Sequence, residues 1–302
     1  VSLAFMMGAI GFKLSMVPLH TWTPDVYEGA SAPLAGCMSI VQKIAAFVVA
    51  MRIFEFLVAS DLEWIKTMLW IAAVATMTVG NILALVQESV KRMLAFSSIS
   101  HAGFGLVAIL VSTNEANTSL FMYWTLFMFA NLGAFTMLWI SRHKSKIFHN
   151  RFDHPYTKFS GMVHIAPIPA VIMAIFMLSL AGVPPFALFW GKFYLISAAM
   201  SAGYVGLAIV MVLNSAIAVY YYIKLVVYMF LREPSYANRT IYMHNATMPF
   251  KFILAIAALF SVFSSSSALL SGSSVSVRST SSSSDFSSSP AMPCSSLILC
   301  TS

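Results

Sequence analysis

Hydrophobic residues along this chain do not alternate with polar ones. They run in long blocks, covering 1 to 17, 33 to 57, 65 to 86, 92 to 113, 118 to 141, 163 to 200, 204 to 231 and 249 to 263. Most blocks approach or exceed the ~20 residues a helix needs to cross a hydrocarbon core about 30 Å thick. Inside lipid every backbone N–H and C=O must be satisfied within its own segment, so each block is predicted to be helical. The expected fold is all-α: a polytopic transmembrane bundle of about eight helices.

The block 163 to 200 is too long for one crossing, because 38 residues rising 1.5 Å each would reach about 57 Å. It is interrupted by Gly182-Val183-Pro184-Pro185. Proline removes a backbone donor and clashes with the preceding turn, which predicts a broken helix near 182–185. Unwound backbone at membrane depth persists where protein or a water-filled cavity receives the freed carbonyls, and in transporters such breaks mark ion sites. A kink serving packing alone is the other reading of the same residues. Lysine and arginine fall unevenly between alternate connections. One side carries Lys91, Arg92, Arg142, Lys144, Lys146, Arg151, Lys158, Arg232, Arg239 and Lys251, and the other only Arg52 and Lys66. The positive-inside rule makes the richer side cytoplasmic, together with the first connection, His20 to Ala32.

Composition sharpens this picture. Of 302 residues, 59% are apolar and 9% charged, against about 25% charged in soluble domains, so the surface must face lipid. The net charge of +7 comes from lysines and arginines set singly among apolar runs, which excludes a nucleic-acid-binding stripe. Cys37, Cys294 and Cys300 have neither CxxC nor zinc spacing. The apolar start at Val1 lacks a basic leader and reads as the continuation of a longer chain. From 264 to 302, 19 of 39 residues are serine, a composition that predicts a disordered or artefactual tail rather than a further helix. No paired carboxylates, Ser/His/Asp triad, phosphate loop or HExxH motif is present, so no self-contained active site is expected.

Chemistry must then reside in ionisable groups inside the apolar blocks, which are costly and functional by default. Lys43 lies ten residues into its block, too deep to reach an interface easily, and Lys192 follows the proline break by seven residues. Lys13, five residues before Pro18, reads equally as a snorkelling or a functional residue. Lys224 lies nearer an end and reads as snorkelling. His101 is central to its block, one turn after Ser97 on the same face, and is either a hydrogen-bonded structural residue or a proton relay. Asn81, Asn131 and Asn214 are accounted for by hydrogen bonds between helices. Burial disfavours a charged amine and a nearby carboxylate restores it, so such a lysine can bind or release a proton as its partner moves. No aspartate or glutamate lies deep in a visible segment, so the counter-ion must come from elsewhere.

Four stretches carry a resemblance. They are Gly11-Phe12-Lys13-Leu14-Ser15 with His20-Thr21-Trp22-Thr23-Pro24-Asp25-Val26-Tyr27-Glu28-Gly29-Ala30; Lys91-Arg92-Met93-Leu94-Ala95-Phe96-Ser97-Ser98-Ile99-Ser100-His101-Ala102-Gly103; Leu178 to Pro185 with Gly191-Lys192-Phe193-Tyr194; and Leu213-Asn214-Ser215-Ala216-Ile217 with Tyr220-Tyr221-Tyr222. In this order they resemble the subunit N family of the proton-pumping NADH-quinone oxidoreductases, respiratory complex I. The wider family includes subunits L and M and the Mrp-type cation/proton antiporters. The resemblance spans residues 1 to about 260 and implies an antiporter-like fold of 14 helices in two inverted five-helix repeats, of which this chain covers about the seventh to the fourteenth.

It further implies a proton path. Lys13 matches a seventh-helix lysine paired with a fifth-helix glutamate that falls upstream of Val1, Lys43 an eighth-helix lysine on the central hydrophilic axis, and Lys192 a twelfth-helix lysine towards the outer side. His20 and His101 match positions near that axis. The implied protein is a translocase subunit in a bacterial inner membrane, with other membrane-arm subunits and the lipid bilayer as partners. It would hold no flavin, iron-sulfur cluster or metal, NADH and quinone being used elsewhere in the complex. The alternatives are a stand-alone Mrp-type cation/proton antiporter and a scaffold whose lysines only balance charge.

Overall fold

The structure is a computed structural model, and it describes residues 2–58, 63–141, 154–233 and 254–262. The basic connections at 142–153 and 234–253 and the Ser-rich tail 264–302, with Cys294 and Cys300, lie outside the described residues. The named elements are α1 (Ser2–Leu14), α2 (Trp22–Gly29), α3 (Ala32–Val58), α4 (Glu63–Val86), α5 (Val90–Val111), α6 (Asn114–Ile140), a 3-10 turn (Tyr156–Phe159), α7 (Met162–Ile165), α8 (Pro167–Ala181), α9 (Ala187–Ser201) and α10 (Val205–Leu231). Residues 254–262 are also helical. Among the described residues five of these helices, α3, α4, α5, α6 and α10, are long and apolar enough to cross a membrane.

The break expected near 182–185 is present, between α8 and α9. Gly182 closes α8 in the left-handed conformation, φ 77°, and its N–H reaches Ser179 while Val183 N–H reaches Leu178. This pair of bonds is the Schellman arrangement, which leaves nearby carbonyls open. A second break was not anticipated. α1 ends in the same way, with Ser15 at φ 61° donating to Phe12 and Met16 donating to Gly11. After it the chain runs to α2, which occupies the stretch read as the first connection, His20 to Ala32. That stretch is no solvated loop: Ser15, Thr23 and Tyr27 are buried, and Val17 N–H donates to Thr76 Oγ1 in the middle of α4 at 3.1 Å.

At its far end α2 is fastened to the start of α5. Lys91 Nζ donates to the carbonyls of Glu28, at 2.9 Å, and Ala30, where the negative end of the α2 dipole favours a cation. Arg92 bridges Glu28 at 2.6 Å and Asp25 at 3.2 Å. The sequence pairs Asp25-Val26-Tyr27-Glu28 and Lys91-Arg92 thus meet across the fold.

α5 is the centre of the bundle, with 94% of its span buried, and it packs on α4 along its length. Apolar helices gain little from hydrophobic association in lipid, so close approach through small residues has to supply the contact. A Cβ on Gly80 would lie 2.8 Å from Ser100 N, a backbone atom, and one on Gly103 would press on Met77 and Ala73. The outward faces of α3, α4 and α10 carry exposed Leu34, Val41, Ile71, Ile82, Ile209 and Leu213, side chains that fit lipid. Gly80→Ala is therefore expected to destabilise the subunit by about 1–3 kcal/mol through overpacking. Gly206→Ala, in open space on α10, is the control. Thermal loss of the full-length subunit from detergent-solubilised membranes measures both.

Candidate functional site

Because α5 has no face left for solvent, its polar residues must find partners inside the bundle. Ser97 and Ser98 each donate to the carbonyl three residues back, at 2.8 Å. With their hydrogens so occupied, the two oxygens are left as acceptors. Ser98 uses that capacity on Lys43: Lys43 Nζ, on α3, donates to Ser98 O at 2.6 Å and Ser98 Oγ at 3.1 Å. Lys43 is 2% exposed, so these neutral oxygens take the place of water around its ammonium.

Lys192 uses the break instead. The Schellman turn leaves the last carbonyls of α8 without helical partners, and Lys192 Nζ, from α9, donates to Ala181 O at 2.9 Å and Leu180 O at 3.4 Å. The C-terminal end of a helix favours a positive charge. Its ammonium also lies 5.5 Å from the Phe104 ring centroid. Gly182 is required here twice, by its positive φ and because a Cβ would stand 3.1 Å from Lys192 Nζ.

His101 lies within electrostatic reach of both lysines. Tyr123 on α6 holds its Nδ1, and Tyr222 on α10 lies 3.3 Å from its Nε2. A neutral imidazole has one donor and one acceptor nitrogen, and a hydroxyl serves as either. A proton received at one ring nitrogen and released from the other would exchange the tautomers, which is the elementary step of a relay. Tyr222 also contacts Ser97 and Tyr221. From Tyr221 the hydroxyl donates to Asn81 Oδ1 at 3.0 Å, Asn81 Nδ2 reaches Asn214 Oδ1 at 3.0 Å, and Asn214 Nδ2 reaches Thr78 Oγ1 at 3.3 Å. The three asparagines hold helices together as predicted, since Asn131 Nδ2 donates to Ser39 Oγ on α3.

Three of the five predicted site residues, Lys43, Lys192 and His101, are buried and gathered around α5. Lys13 is exposed among the described residues, since α1 packs on α3 and these residues leave its lysine-bearing face uncovered. His20 is half-buried in the unwound stretch before α2. Its Nδ1 is buried with no hydrogen-bond partner among the described residues. Lys224 lies 4.7 Å from the Tyr156 ring centroid, outside the network. Sequence reasoning did not single out Tyr123, Tyr222, Tyr221 or Ser98. The available signal was the polar run from Ser97 to His101 in a fully apolar setting, which demands partners from three other helices.

Comparison with known proteins places this geometry. Residues 1–218 match the family model described as NADH:quinone oxidoreductase/Mrp antiporter, TM. The chain is 61% identical over 264 residues to NADH-quinone oxidoreductase subunit N of Sulfurimonas denitrificans, covering 87% of this chain and 53% of that protein. It is 40% identical to the subunit N of Trichlorobacter lovleyi, covering 85% and 51%. The chain spans about half the length of these relatives. Among solved structures it is similar to a chain of respiratory complex I from Thermus thermophilus with bound aureothin, at TM-score 0.73 and 28% identity, over 90% of this chain and 57% of that one. A chain of the Mrp complex from Dietzia sp. DQ12-45-1b shares the fold at TM-score 0.75 and 21% identity, over 88% and 56%.

The asparagine pair yields a test of the network. Asn81→Leu takes the donor from buried Asn214 Oδ1 and the acceptor from the buried Tyr221 hydroxyl, an expected loss of about 1–3 kcal/mol. The double variant Asn81→Leu/Asn214→Leu removes both partners and is expected to cost less than the sum of the single changes. Thermal unfolding of the four full-length proteins gives the coupling, and strict additivity would show that the two side chains do not interact.

Proposed function

The chain belongs to the NADH:quinone oxidoreductase/Mrp antiporter transmembrane family, and from that premise we propose that it forms the proton-translocating part of a membrane-arm subunit of an NADH-quinone oxidoreductase. The observation that carries this reading is the pair of buried ammonium groups, Lys43 and Lys192, solvated by neutral oxygens, with His101 buried within electrostatic reach of both. Each ammonium is held by fixed neutral oxygens in place of water. Lys43 exchanges protons through Ser98, His101 passes them by tautomer exchange between Tyr123 and Tyr222, and Lys192 receives them at the α8–α9 break.

The subunit would sit with other membrane-arm subunits in a bacterial inner membrane, the end bearing α2 and Lys91 facing the cytoplasm. Quinone reduction by NADH would occur in those partners, and this chain contributes the path rather than a redox centre. Lys13 and His20 belong to the same path in this reading, at the α1–α2 break, where the upstream glutamate would meet Lys13. The likeness to the Mrp complex, at 21% identity, concerns the fold. The subunit N relatives at 40–61% identity favour the oxidoreductase reading over a stand-alone antiporter.

The test uses the full-length subunit assembled in its complex in inverted membrane vesicles. Lys43→Ala or Lys192→Ala is expected to reduce NADH-driven proton uptake roughly tenfold or more, equivalent to about 1.4 kcal/mol in the limiting barrier. Native gels verify assembly. Wild-type pumping by an assembled variant would reject the role of that lysine in favour of the scaffold reading.

A further inference from the structure

α3 and α6 pack against each other in opposite directions, and three contacts fix their register. A Cβ on Gly36 would lie 3.0 Å from Phe135 Cβ, Asn131 Nδ2 donates to Ser39 Oγ, and the Phe47 and Trp124 rings are 5.0 Å apart. Lys43 follows Ser39 by one turn and precedes Phe47 by one, so it lies on the same seam. α5 closes the third side. The Phe127 ring on α6 lies 4.6 Å from that of His101 on α5. One turn further along α6 is Asn131, and three residues back along α5 is Ser98, which accepts from Lys43 Nζ. α5 and α6 are joined by the short turn Ser112-Thr113 and run antiparallel, so both steps lead towards the same end of the bundle. Asn131, Ser98 and the Lys43 ammonium therefore share one layer where three helices meet.

Asn131 is fully buried, and the two ends of its amide are used differently. The Ser39 hydroxyl gives its hydrogen to Gly36 O at 2.7 Å, so its oxygen can only accept, and this turns the amide nitrogen of Asn131 towards it. The amide oxygen is left on the other side, buried and without a hydrogen-bond partner among the described residues. Lys43 has the matching shortfall, since an ammonium has three donors and the two oxygens of Ser98 take two of them. Buried polar atoms without a protein partner are satisfied by ordered water, which needs two or more polar groups around it.

We propose that one buried water joins Asn131 Oδ1 to the third N–H of Lys43, making Asn131 a positioning residue for the proton-carrying ammonium. This rests on the proposed translocation through Lys43. The water donates to Oδ1 and accepts from Nζ, so each hydrogen of the charged amine has an acceptor: a carbonyl, a hydroxyl and a water. When the amine is neutral, the same water turns its second hydrogen to the Nζ lone pair, a role that no carbonyl can take. Asn131 thus serves Ser39 with its nitrogen and Lys43 with its oxygen.

The experiment uses the assembled full-length complex. A high-resolution electron cryo-microscopy map of the parent is expected to show an ordered water within hydrogen-bond distance of both Asn131 Oδ1 and Lys43 Nζ. No water at that place, or Oδ1 bonded to a protein group instead, would overturn the assignment, and this measurement needs no variant to fold. NADH-driven proton uptake is then compared for Asn131→Leu, Ser39→Ala and Lys43→Ala, with native gels verifying assembly. Leucine keeps the volume and removes both ends of the amide, and uptake is expected to fall roughly tenfold, the scale of a lost hydrogen bond to a charged group. Ser39→Ala cuts the tie between α3 and α6 but leaves Oδ1, and a smaller loss is expected. Wild-type uptake in Asn131→Leu, or equal losses in the two variants, would make Asn131 a strut between helices and reject the proposal. Unimpaired uptake in Lys43→Ala would overturn the underlying path instead, while the parent map still decides whether the water is there, so the two failures are distinguishable.

Discussion

An ammonium group kept from water has to be solvated by something else, and in this bundle that something is backbone. Lys192 is held by the carbonyls released where α8 stops, and Lys43 by a carbonyl and a back-bonded hydroxyl of α5. In an intact α-helix each interior carbonyl already accepts from the N–H four residues on, and Ser98 O takes Lys43 as a second donor on its remaining lone pair. The bundle adds acceptors in two further ways: by breaking a helix at membrane depth, and by turning serine hydroxyls back on their own helix so that the oxygens are left to accept. Both leave neutral oxygens around the amine.

The same constraint explains why two helices end alike. α1 and α8 both finish with the paired 6→1 and 5→2 bonds, one at Ser15 and the other at Gly182. A helix that stops inside the bundle leaves its last carbonyls without intrahelical donors, and this turn satisfies two of them locally while leaving the final ones open to the interior. At Gly182 the exposed carbonyls face a lysine, and the absence of a Cβ makes room for its ammonium. At Ser15 the side chain joins the packing, since Thr23 Oγ1 donates to Ser15 Oγ at 2.6 Å and ties α2 to the end of α1.

Around these two sites, the tyrosines convert a set of packed helices into a connected polar layer. Tyr123 from α6 and Tyr222 from α10 meet on the two nitrogens of His101, and Tyr221 continues the connection to Asn81 and Asn214 between α4 and α10. Each hydroxyl is both donor and acceptor and is attached to a rigid apolar ring, so it serves a buried network without requiring its own solvation. The polar atoms lie on helices that are otherwise apolar, and this places the network inside the bundle and the remaining apolar surface towards lipid.

The apolar blocks alone determined that the chain is a helical membrane bundle, because backbone in lipid has few other ways to satisfy its hydrogen bonds. The length of 163 to 200 and the Gly182-Val183-Pro184-Pro185 interruption determined a broken helix, and the depth of Lys43, Lys192 and His101 marked them as costly residues needing a reason. The break at Ser15 was not legible, because serine carries no sign of a left-handed residue and the polar run that follows reads as a loop. Only the tertiary structure decided that α2 packs on α5 and that Asn81 meets Asn214 across 133 positions. The reason is physical: burial cost is a property of one residue in its segment and can be read locally, while the partner that offsets it comes from another helix, whose approach is set by small residues and crossing geometry that no single segment encodes.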